Sequence, residues 1–209
     1  MPSLIYLHGF ASGPASRKAQ FFCDRFRSLG IEVKVPDLVD GEFADLTLSA
    51  QLAVIEREAR GQPVRLMGSS MGGYLAALYA ARHPEVERVV LMAPAFGFAR
   101  LWRDELGPEG VERWRQSGTL PVFHYAKNKE AGVGYQLLAD ADRYEEFPEF
   151  SQPALVFHGS KDPVVPLSAS EQFVVRQPNA RLRTMDSGHD LTDVMEEIWE
   201  DASWFLTAA

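Results

Sequence analysis

Gly68-Ser69-Ser70-Met71-Gly72-Gly73 is the stretch that most restricts what this chain can become. An apolar run, Val64-Arg65-Leu66-Met67, leads into it, and Tyr74-Leu75-Ala76-Ala77-Leu78-Tyr79-Ala80-Ala81 leads out. The pattern predicts a strand, a sharp turn and a helix. Gly68 and Gly72 stand two positions either side of Ser70, where so tight a turn needs small residues. A G-x-S-x-G at a strand-to-helix junction is the nucleophile-elbow pattern, with Ser70 at the tip. The helix after it points free N–H groups and the positive end of its dipole back at the serine.

Around this stretch apolar runs alternate with helical periodicities. Residues 4–7 read as a buried strand, 16–29 as a helix, 31–36 as a strand and 47–60 as a helix. Strands follow at 88–94, 154–159 and 182–185. A capping-box signal, Ser168 to Glu171, opens a helix to about Arg176. An apolar stripe from Leu191 to Leu206 marks a terminal helix. Six strands with intervening helices predict an α/β fold, a mostly parallel sheet with helices on both faces. In such sheets ligands sit at the carboxyl ends of the strands. The Gly68–Gly73 stretch and the loops at His8, Asp162 and His189 all fall there.

A serine hydroxyl is a weak nucleophile at neutral pH; it needs a base, and the base needs an orienting carboxylate. Of the five histidines, His189 stands in a loop before the terminal helix, in the chain order Ser…Asp…His, and is the expected general base. Asp162, in the loop after the 154–159 strand, is the expected acid. Asp186 and Asp190 are weaker candidates, since they flank His189 in the same loop. His8 reads as a structural residue of the first loop, His158 as a packed polar residue and His83 as a helix-end cation. His124 reads as a surface residue with a lesser claim on substrate. Negative charge developing at the reacting carbonyl needs two backbone donors. Met71 N–H is one; Phe10 N–H is the other, with Ala11 the alternative.

Composition excludes much else. A net charge of −8 without a Lys/Arg block argues against nucleic acid or an anionic membrane as partner. One cysteine, Cys23, permits no intrachain disulfide and reads as a structural thiol between Phe22 and Phe26. No metal-ligand or dinucleotide-binding spacing occurs, so no cofactor or metal is expected. The first residues resemble no signal peptide and no run spans a membrane, so a cytoplasmic protein is expected.

With these motifs the chain resembles the α/β-hydrolase superfamily and, within it, small bacterial serine esterases of the YqiA/YcfP-like kind. The resemblance rests on Leu4-Ile5-Tyr6-Leu7-His8-Gly9-Phe10, Ser16-Arg17-Lys18-Ala19, Gly68-Ser69-Ser70-Met71-Gly72-Gly73-Tyr74, Ala93-Pro94-Ala95 and the Asp162 and Ser187-Gly188-His189 loops. It implies hydrolysis of a carboxylic ester or thioester of a small acyl substrate through an acyl-enzyme, with Ser70, Asp162 and His189 as triad. Acyl transfer by the same residues, or a catalytically idle ligand-binding protein, are the alternatives. Larger members carry two further N-terminal strands; this sequence opens directly on the strand before the oxyanion loop.

The expected organisation is one domain, 1–209, with a cap-like insert at 97–150. Gly107-Pro108, Gly118, Gly132 and Gly134 predict an insert of short helices, and Asp140 and Asp142 read as solvated charge on one of them. Its aromatic residues mostly read as packing. Phe96, Phe98 and Trp102, nearest the strand end, are the expected lining of an acyl pocket.

Overall fold

Tandem apolar residues need cover on two sides, and the sheet supplies it. A computed structural model describes residues 2–208; Met1 and Ala209, the ends of the expected 1–209 domain, lie outside the described residues. In chain order come β1 (Ser3–Leu7), α1 (Arg17–Ser28), β2 (Val33–Lys34), α2 (Leu48–Ala59), β3 (Val64–Ser69), α3 (Met71–Ala80) and β4 (Val86–Met92). After α4 (Phe98–Ser117), β5 (Thr119–His124), β6 (Lys129–Gly134) and α5 (Gln136–Ala141), the chain returns through β7 (Ala154–Gly159), α6 (Leu167–Arg176), β8 (Ala180–Met185) and α7 (Met195–Thr207). The main sheet has six parallel strands in the order β2-β1-β3-β4-β7-β8. Ile5, Leu7, Val89 and Leu91 share a core with α2, α3, α6 and residues of the 97–150 segment, while Leu4, Tyr6, Val90 and Met92 share one with α1 and α7. The period-two alternation of each strand thus sorts its side chains between two helical layers. Helix α3, buried along its whole length, is the central brace.

Four local expectations need correction. Strand β2 pairs only at Val33 and Lys34, because it is the sheet edge and Pro36 lacks an N–H to extend it. Helix α6 begins at Leu167 after Pro166, with no side-chain cap; Ser170 of the expected capping box turns inward to His158. Helix α7 begins at Met195 rather than Leu191, because Leu191 takes a left-handed φ of 52° and Asp193 accepts a bond from Ser187 Oγ. The turn that results carries His189.

The fourth is the segment at 97–150. It is not a set of short helices. Helix α4 breaks at Gly107 (φ 64°, ψ 171°), just before Pro108. The following strands β5 and β6 then pair antiparallel in a hairpin. The glycines read as helix breakers, Gly132 and Gly134, are strand residues. A Cβ on Gly134 would lie 2.5 Å from the Ala44 carbonyl, so the hairpin presses on the short 3-10 turn Phe43–Asp45. Trp114 is wholly buried beneath the hairpin and donates to the Val133 carbonyl at 3.0 Å. Asp140 is not solvated: it accepts from Ser49 N–H (2.8 Å) and Ser49 Oγ (2.7 Å) at the start of α2. Asp142 pairs with Arg103 near the surface.

Candidate active site

The turn between β3 and α3 is held in a conformation that L-residues rarely adopt. Ser70 has φ 55° and ψ −120°. Its N–H donates to Met92 O (2.8 Å), and its carbonyl accepts from Tyr74 N–H and Ala95 N–H, both at 3.0 Å. Bonds from two neighbouring segments over-determine the strained residue. The flanking glycines have specific causes. A Cβ on Gly68 would stand 2.3 Å from Gly72 O, and one on Gly72 would stand 2.2 Å from Leu7 O. Only without side chains can α3 start this close to the end of β1.

The structure brings His189 and Asp162 to the same point. His189 Nε2 lies 2.9 Å from Ser70 Oγ, and His189 Nδ1 lies 2.7 Å from Asp162 Oδ2. With the proton on Nδ1 facing the carboxylate, Nε2 accepts from the serine hydroxyl. Asp162 is wholly covered, and its other oxygen accepts Val164 N–H (2.8 Å) and Val165 N–H (2.9 Å). Burial alone would raise its pKa. The bonds from His158, His189 and Val165 outweigh burial and hold the carboxyl well below the usual carboxylate range. Asp186 instead pairs with Lys161 at the surface, and Asp190 is exposed.

The role of His158 is only partly legible as packing. Its Nε2 sits 2.9 Å from Val165 O and 3.2 Å from Asp162 Oδ2, and its Nδ1 sits 2.7 Å from Ser170 Oγ. The ring therefore ties the acid to α6. Its only sequence signal is its place four residues before Asp162. The loops after β7 and β8 are joined directly by Ser160 N–H to Met185 O (2.8 Å) and Lys161 N–H to Ser187 O (3.0 Å). Gly159 permits that contact, since a Cβ there would meet the Ser187 and Gly188 carbonyls at 2.4 Å.

On the other side of Ser70 runs the loop after β1. Gly9 is in contact with Ser70, a Cβ there lying 3.4 Å from Ser70 Cβ. The N–H groups of Phe10 and Met71 have no hydrogen-bond partner among the described residues. His8 is buried, with Nδ1 3.0 Å from Gly9 O, and Nε2 accepts Leu38 N–H at 3.2 Å. Burial pushes its imidazole below the ordinary value, which suits an Nε2 acceptor. Ala11, Ser70, Ala93 and Leu191 all have positive φ, so left-handed backbone clusters at these strand ends. Lys18 is half-buried, and burial pulls its ammonium down to about 8 despite the opposing charges of Asp190 and Asp162.

The expected pocket residues part company. Trp102 stays partly exposed and meets Phe10 edge-on, ring centres 5.6 Å apart, and Phe98 packs against Trp102. Phe96 is a core residue instead: fully buried, it stacks on Phe173 of α6 at 4.3 Å. Cys23 is half-buried, and burial raises its thiol pKa. Among the described residues one His/carboxylate group has ligand atoms within mutual reach, Glu56, His83 and Glu85. It lies at the opposite end of α3 from Ser70, and His83 there already bonds Glu85 at 2.9 Å.

Comparison with known proteins now places the chain. A family model described as "Uncharacterised protein family (UPF0227)" matches residues 3–205. The chain belongs to this family. A pimeloyl-[acyl-carrier protein] methyl ester esterase of Aromatoleum aromaticum is 27% identical, over 90% of this chain and 91% of its own. Among solved structures, mouse alpha/beta hydrolase domain-containing protein 10 superposes with a TM-score of 0.81 at 22% identity, covering 97% of this chain and 88% of its own. Est1E from Butyrivibrio proteoclasticus does so with a TM-score of 0.77 at 20% identity, covering 98% and 86%. These neighbours share the α/β-hydrolase fold, as the motifs of this family member led one to expect. The esterase and hydrolase names of the relatives agree with the carboxylic-ester hydrolase expected from the sequence. No helix among the described residues is long and apolar enough to cross a membrane.

Proposed function

We propose that this protein is a serine esterase that cleaves a carboxylic ester or thioester of a small acyl substrate through an acyl-enzyme. The observation that carries the proposal is the unbroken series Ser70 Oγ, His189 Nε2, His189 Nδ1 and Asp162 Oδ2, with links of 2.9 and 2.7 Å. Ser70 Oγ attacks the acyl carbon as His189 Nε2 takes its proton, and Asp162 stabilises the imidazolium so formed. The carbonyl oxygen gathers negative charge between Phe10 N–H and Met71 N–H, each worth about 10²–10³ in turnover. His189 then protonates the leaving alcohol or thiol. Water, giving its proton to His189, attacks the acyl-Ser70 ester, and the proton returns to Ser70 as the acid leaves.

Residues 97–150 are read as a cap, with Phe98 and Trp102 lining the acyl side beside Phe10. The methyl ester named for the Aromatoleum relative makes short acyl methyl esters the first class to assay. The direct test is a fluorophosphonate probe. Wild type should be labelled and Ser70→Ala should not, with kcat on p-nitrophenyl esters falling by about 10⁴-fold or more in the variant. Equal labelling of both proteins would sink the assignment.

A further inference from the structure

His124 is 2% exposed, yet neither ring nitrogen has a hydrogen-bond partner. Whatever its protonation, an imidazole carries at least one N–H, so a buried donor is left unmet, and buried polar groups are rarely left so. The other two buried orphans among the described residues are single amide oxygens on Gln51 and Gln152, and Gln152 uses its nitrogen twice. His124 stands out because nothing on its ring is used.

Its position gives the orphan meaning. His124 ends strand β5, and two residues later Ala126 N–H donates to Ala11 O (3.3 Å) in the loop beside Ser70. The His124 ring lies 4.6 Å from the Phe43 ring, Phe43 lies 5.5 Å from Phe10, and Phe10 meets Trp102. It is thus the polar member of an otherwise aromatic row leading from the proposed oxyanion donor into the 97–150 segment. Burial and the nearby Lys127 push its pKa down, leaving a neutral ring with one donor and one acceptor.

We propose that His124 hydrogen-bonds an oxygen function on the acyl part of the substrate, so that acyl groups carrying a hydroxyl or carbonyl oxygen beyond the ester carbon are preferred to plain alkyl chains. The proposal rests on the esterase reading above. A neutral oxygen fits better than a carboxylate, because His124 is held neutral and Asp37 already supplies negative charge nearby.

The test compares kcat/KM for p-nitrophenyl hexanoate, octanoate and decanoate with their ω-hydroxy and ω-methoxycarbonyl counterparts. Wild type should favour a polar member by about 10-fold or more at one chain length at least. His124→Leu and His124→Phe should each lower that ratio by about 10-fold, while melting temperature stays level or rises. A wild-type ratio near one throughout, or a ratio kept in both variants, overturns the proposal. Binding separates this failure from failure of the esterase reading. Calorimetry on Ser70→Ala with ω-hydroxy and plain fatty amides should show the same preference even if no ester is turned over. It should be lost in Ser70→Ala/His124→Leu, and equal affinities in the two proteins overturn the inference.

Discussion

His158 and His124 are both fully covered by the fold, and they are opposites. His158 has oxygen neighbours at both ring nitrogens, Val165 O and Asp162 on one and Ser170 on the other; His124 has none at either. The first stands on strand β7, with its ring between the loop that follows β7 and helix α6. The second sits where a hairpin of the 97–150 segment meets the loop beside Ser70. The difference separates a polar group used to hold a site in place from one that is ready to meet something else. It also predicts opposite mutational behaviour, since removing a used polar group leaves its partners stranded and removing an unused one strands nothing.

The strongest way to break the first half of the comparison is at the acid itself. Asp162→Asn keeps the shape but offers His189 an amide in place of a carboxylate, and kcat should fall by about 10⁴-fold with little change in KM. Turnover close to wild type would move the orienting role to another residue. The pH dependence of stability follows from the depressed carboxyl. A folded pKa below the unfolded one gives stability that is fully present above the ordinary carboxylate range and is lost as pH falls through the folded value. Acid unfolding should therefore be less steep in Asp162→Asn than in wild type.

His158→Leu comes next. It removes one donor to Asp162 and leaves the Ser170 hydroxyl and the Val165 carbonyl without their partner. We expect a loss of about 2–3 kcal/mol in denaturant unfolding. Turnover should fall about 10–100-fold, mainly in kcat, because Asp162 keeps Val164, Val165 and His189 but loses a fixed position. His158 also helps depress the Asp162 pKa, so the part of stability that is lost on acidification should be smaller in the variant and its loss complete at a higher pH. A variant that unfolds more easily but keeps both kcat and the wild-type acid profile would make His158 packing alone. His124→Leu should move the other way, gaining up to about 1 kcal/mol, because an unmet polar group is replaced by an apolar one. A loss of that size would mean the imidazole is already used in the free protein.

The same contrast explains what the sequence could reveal. The sheet and the convergence of Ser70, Asp162 and His189 were legible because strand-to-helix turns impose hard steric rules. Gly68, Gly72 and Gly159 have backbone oxygens within 2.5 Å of where a Cβ would be, and such rules leave a pattern in residue type. The 97–150 segment was not legible. Gly132 and Gly134 look like helix breakers until the Phe43–Asp45 turn, some ninety residues away in sequence, is seen lying against the hairpin. Asp140 looked solvated for the same reason, since its partner Ser49 is 91 residues distant. Phe96 looked like pocket lining because it follows β4, and its stacking on Phe173 depends on how α6 packs. The service of His158 to Asp162 likewise depends on Ser170, which the capping-box reading had placed at a helix start.

Lys18 lies between the two histidines in kind. It is a half-buried charge that makes no ion pair within 4 Å among the described residues, though Asp190 and Asp162 act on it at longer range. Burial wins over their attraction and brings the pKa down to about 8. The sign of the consequence is the same as for Asp162, in a window at higher pH. Between about pH 8 and the ordinary lysine value the unfolded chain holds a proton that the folded protein has released, so stability rises with pH across that window. Lys18→Met should remove this rise. Melting temperatures at pH 7.5 and 9.5 should therefore show wild type gaining on the variant by a few degrees. A constant difference between the two proteins would mean that Lys18 stays charged throughout, and that the partnered network around Asp162 extends one residue further than the hydrogen bonds indicate.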